Sequence, residues 1–85
     1  MLQRGPYYLL IVDKLIGQAA MLFEQGDPDS ALTLCVEAAE LDPKNDNVWY
    51  LKGAIASAQG RMTDAARAYQ KSVKLASDST RNIEA

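Results

Sequence analysis

Few residues of this chain could do chemistry, and their types rule out most of it. No histidine occurs among its 85 residues, which removes Ser-His-Asp and Cys-His arrangements and the commonest general base. A nucleophilic cysteine needs a neighbour that stabilises its thiolate. Cys35, the one cysteine, has Ala31, Leu32, Ala38 and Ala39 as its neighbours on a helix, so it reads as a buried, inert thiol. One cysteine without histidine cannot build a zinc site. The run Asp42-Pro43-Lys44-Asn45-Asp46-Asn47 offers oxygen ligands but lacks the sixth-position Gly and twelfth-position Glu of a calcium loop. No glycine-rich phosphate loop is present. Arg67, Lys71 and Lys74 share one helical face through spacings of four and three. A nucleic-acid surface needs a broader basic area with interleaved aromatics, so these three read as a solvated face. Neither enzyme activity nor any cofactor, metal or nucleic-acid partner is expected.

The elements that carry these residues repeat. Displaced by thirty-four positions, Leu15 falls on Trp49, Ala19 on Gly53, Leu22 on Ala56 and Gly26 on Gly60; Ala31 falls on Ala65, Cys35 on Tyr69, Ala38 on Ser72 and Leu41 on Leu75. Each copy holds a helical run, a glycine and a second helical run. Such a pair cannot bury its apolar face alone, so successive pairs stack on a shared core. Pro6 suits the first turn of a helix, and apolar residues continue to Phe23, so the first helix begins before the repeat does. Gly26 stops it, Asp27 caps the second helix, and Pro28 opens that helix. Pro43 ends the second helix near Leu41. Asn45 is expected to cap a third helix ending before Gly60. Thr63 is expected to cap a fourth reaching about Ala76, with Ser77-Asp78-Ser79 as a loop or cap and Ile83 able to begin a third copy.

The run Asn45–Ala76, with Trp49, Gly53, Gly60, Ala65 and Tyr69, resembles a tetratricopeptide repeat. So does the run Val12–Asn45, with Ala19, Gly26-Asp27, Ala31 and Leu41-Asp42-Pro43. Three positions depart from the pattern: Gln18 and Lys52 replace an apolar residue, and Ser77 replaces the terminal proline. The resemblance implies an all-α solenoid of two helix-turn-helix repeats, about four helices in all. Its divisions are an N-terminal helical extension at 1–11, repeats at 12–45 and 46–79, and a C-terminal tail or start of a capping helix at 80–85.

By the same resemblance, the first helix of each repeat lines a concave groove for a peptide or partner helix. Asp13, Ile16, Ala20, Phe23 and Glu24 would come from the first copy, and Asn47, Tyr50, Ala54, Ser57 and Ala58 from the second. Phe23 and Tyr50 are equally candidates for helix packing. The family's clamp for acidic chaperone tails places Lys and Asn where Ile16 and Ala20 stand, and Asn where Leu51 stands. An apolar segment is therefore the expected ligand rather than a carboxylate tail.

Size and charge add the remaining bounds. A chain of this length buries a modest core and gains from covering its open ends. Residues 12–45 hold seven carboxylates against two lysines, net −5, whereas residues 46–79 hold five cations against three carboxylates, net +2. That asymmetry could steer association. The apolar stretch Tyr7–Val12 is too short to span a bilayer. It and the uncapped ends point instead to a homo-oligomer or a segment of a longer array. The single unpaired cysteine fits a reducing compartment, with the cytoplasm favoured.

Overall fold

The structure, a computed structural model, describes the backbone of residues 5–84 and the side chains of residues 7–78. Residues 1–4 of the N-terminal extension and the side chain of Ile83 lie outside those described. Four helices follow in chain order: α1 (Gly5–Glu24), α2 (Pro28–Leu41), α3 (Asp46–Ala58) and α4 (Met62–Glu84). α1 pairs with α2 and α3 with α4; α2 packs against α3, and α1 touches α3 more lightly. Among the described residues, α4 packs against α3.

The two hairpin turns repeat bond for bond. α1 closes with Asp27 N–H donating to Leu22 C=O at 2.9 Å and Gly26 N–H to Phe23 C=O at 3.1 Å. Thirty-four residues on, Arg61 N–H donates to Ala56 C=O at 2.9 Å and Gly60 N–H to Ser57 C=O at 3.0 Å. This Schellman pairing needs a left-handed residue where the chain turns, and Gly26 and Gly60 supply it at φ 88° and 82°.

The turn also sets where the next helix starts, and this corrects the expected cap of α4. Asp27 holds the cap position of α2, where its carboxylate accepts from Ser30 N–H at 3.2 Å. Arg61 holds the equivalent place before α4, with Ala65 N–H donating to its carbonyl at 2.9 Å. Thr63 therefore sits inside the first turn. Arg61 has no side-chain acceptor, so its guanidinium reaches Asp64 at 3.1 Å and Gln59 Oε1 at 2.7 and 3.1 Å.

The turn between repeats is a helix stop followed by a cap. Asp42 N–H donates to Ala38 C=O, Pro43 follows, and Asn45 Oδ1 accepts from Asn47 N–H at 3.0 Å. The Trp49 indole N–H bonds back to Pro43 C=O at 3.2 Å. Beyond Ala76 the structure departs from expectation: α4 runs unbroken through Ser77, Asp78 and Ser79 to Glu84. Ile83 thus continues α4 rather than opening a new helix. Serine and aspartate weaken a helix, but only a proline or a left-handed residue stops one firmly, and neither occurs there.

Small residues let the helices approach. Val12 and Ala19 of α1, Ala31, Cys35 and Ala38 of α2, and Val48 and Ile55 of α3 form the buried cluster. Ala65, Ala68 and Ser72 of α4 are buried, and the Ser72 hydroxyl donates to Asp46 C=O at 2.9 Å. Gly53 is buried beneath Tyr69: a Cβ there would lie 2.7 Å from Tyr69 Cδ1.

Candidate partner-binding surfaces

The residues expected to line the groove project from α1 and α3, which lie alongside each other. Asp13, Glu24, Asn47, Tyr50 and Ala58 are exposed, and Ile16, Ala20, Phe23, Ala54 and Ser57 are half-buried. Ile16 and Phe23 pack against the buried cluster, so both owe part of their surface to the fold. Asn47 serves the α3 cap through its backbone N–H. The Ser57 hydroxyl lies 4.0 Å from Met62 Sδ. Among the described residues, no hydrogen bond or ring contact links the α1 set to the α3 set. Tyr50 stands apart: 61% exposed, it meets Tyr69 with ring centroids 5.4 Å apart and planes tilted by 55°. One tyrosine fills the hollow over Gly53 and braces the other, which faces solvent.

A second surface lies outside the expected groove. α2 and α4 both flank α3, and between them opens a cleft of about 400 Å³. Leu32 and Val36 form one wall, Trp49 and Lys52 the floor, and Arg67 and Lys71 the other wall. Lys52 Nζ lies 4.1 Å and Lys71 Nζ 4.9 Å from the Trp49 ring centroid, both within cation–π range. Its signal in the sequence was the lysine at position 52, where an apolar side chain would have filled the space.

Cys35 is buried on the inner face of α2. Burial pushes its thiol up from 9.0 to about 11, with Lys52 pulling weakly the other way. A protonated thiol among alanines is a packing group rather than a nucleophile.

A family model for the tetratricopeptide repeat matches residues 22–82, most of α1's last turn through nearly all of α4. The chain belongs to the tetratricopeptide repeat family. Repeats of this family mediate protein–protein interaction and are in general non-enzymatic modules. No curated protein matches the chain individually. Among the described residues, no helix is long and apolar enough to cross a membrane.

Proposed function

We propose that the chain is a non-enzymatic adaptor that binds an apolar peptide or partner helix in the groove lined by the first helices of two repeats, 12–45 and 46–79. Tyr50 carries this reading. A large aromatic side chain left mostly in solvent, yet held by a second ring, suits an anchor that loses little freedom on binding. Small side chains at Ala20, Ala54 and Ala58 along the same expected groove leave room for a partner's backbone.

Tyr50→Ala tests the reading. It removes one ring pair, worth about 0.5–1.5 kcal/mol, so the domain should stay folded by circular dichroism. Capture of protein partners from native lysate should fall. Undiminished capture by the folded variant would discard the groove. Phe23→Ala is a poorer probe, because Phe23 also packs against the core.

A second reading, self-assembly, is favoured by α1. Tyr7 is 75% exposed, and Leu9, Leu10 and Ile11 are exposed beside it. That apolar surface is suited to burial against another copy.

A further inference from the structure

We propose that the cleft between α2 and α4 is a second binding site, separate from the groove, which takes an acidic segment of a protein partner. Charge is the first reason. Lys52, Arg61, Arg67 and Lys71 line the cleft with a single carboxylate, Asp64, and Asp64 is already paired with Arg61 at 3.1 Å. That is the only ion pair among the described residues, so the half-buried Lys52 and the exposed Arg67 and Lys71 have no carboxylate partner among them. The chain as a whole is acidic, with net charge −2, yet four of its nine lysines and arginines line this one opening.

Preorganisation is the second reason. The Trp49 indole N–H is tied to Pro43 C=O, and its ring holds the ammonium groups of Lys52 and Lys71 in place. Lysines already ordered over a ring lose less rotamer freedom on meeting a carboxylate, and each retains N–H donors for a charge-assisted bond. Leu32 and Val36 opposite offer an apolar wall, so a segment alternating carboxylate and apolar side chains would satisfy both sides.

Shape identifies the ligand as a segment rather than a lone anion. A second hollow of about 410 Å³, lined by Arg67, Gln70, Lys71, Lys74 and Leu75, shares Arg67 and Lys71 with the cleft. The surface therefore continues along α4. A nucleic-acid strand fits less well, because the one indole has ammonium groups against its ring where a base would stack.

Trp49 is the chain's only tryptophan, so its fluorescence reports on the cleft alone. The probes are a synthetic peptide of three Glu-Glu-Leu-Glu units, its counterpart with Gln for every Glu, and an oligothymidylate of matched charge. The Glu peptide should change Trp49 emission saturably at low salt and bind at least about tenfold more tightly than the Gln peptide. Lys52→Gln/Lys71→Gln should weaken it about tenfold or more, read by a dye on the peptide, and Arg67→Gln alone should weaken it measurably. Tyr50→Ala should leave it unchanged, which separates this site from the groove. No response up to millimolar Glu peptide, equal binding of the Gln peptide, tighter binding of the oligothymidylate, or loss with Tyr50→Ala would each overturn the proposal.

Discussion

Gly53 and Tyr69 show how closely α3 and α4 are fitted at one point. Ala at position 53 would gain about 1 kcal/mol of helix propensity, but its Cβ would meet Cδ1, Cε1 and Cγ of Tyr69 at 2.7, 2.8 and 3.0 Å. Those atoms belong to a ring held between helices, and overpacking of this kind costs about 1–3 kcal/mol. Gly53→Ala should therefore lower stability in urea denaturation, whereas Gly17→Ala, with nothing within 4 Å, should raise it. Cys35 makes a pH prediction. Its folded pKa lies above that of the exposed thiol, so its stabilisation is complete below pH 9.0 and fades as pH rises towards about 11. Within that window the native protein should lose up to about 1.4 kcal/mol per pH unit from this group. Denaturation across the alkaline range should show that slope in the native protein and a shallower one in Cys35→Ala. The thiol's burial was legible in its alanine neighbours. What Phe23 does was not, because residues on one helical stripe can face a groove or its floor, and only the packing of α1 decides.

Between helices, glycine and proline carried most of what the sequence told. Gly26, Pro28, Pro43 and Gly60 place the ends of α1, α2 and α3 as expected from local chemistry. α4 differs from the expected helix at both ends. At its start, the turn around Gly60 hands the cap position to Arg61, overriding Thr63 as the better capping residue. At its far end, Ser77 stands where Pro43 ended α2, so nothing halts the helix. The first of these can be repaired. Arg61→Ser would supply the missing side-chain acceptor, a gain of about 1 kcal/mol, against an exposed Arg61–Asp64 pair worth about 0–1 kcal/mol. A higher melting temperature is expected. An unchanged or lower one would mean that the Arg61 bridge to Gln59 and Asp64 contributes more than a cap.

Over the whole molecule, the thirty-four-residue period announced the solenoid. The matched turns at Gly26 and Gly60 give that period its physical form. The cleft was not legible, because it arises from three helices and a gap between two of them, none of which a one-dimensional pattern contains. Lys52 marked the place without revealing the space around it. The exposed start of α1 predicts behaviour in solution: at tens of micromolar, sedimentation should give a mass above the 9.3 kDa of one chain, and Leu10→Lys/Ile11→Lys should return it to the monomer. A 9.3 kDa species in the unaltered protein would remove self-assembly as a reading.

Among the described residues, α3 and α4 are the most closely packed pair of helices, whereas α2 and α1 meet α3 more lightly, so the thinner seam runs between the two hairpins. The cleft lies across that seam, with one wall on the first hairpin and its floor and other wall on the second. A segment gripped from both sides would act as a strut between the hairpins, tying the second to the first where their own packing is thinnest.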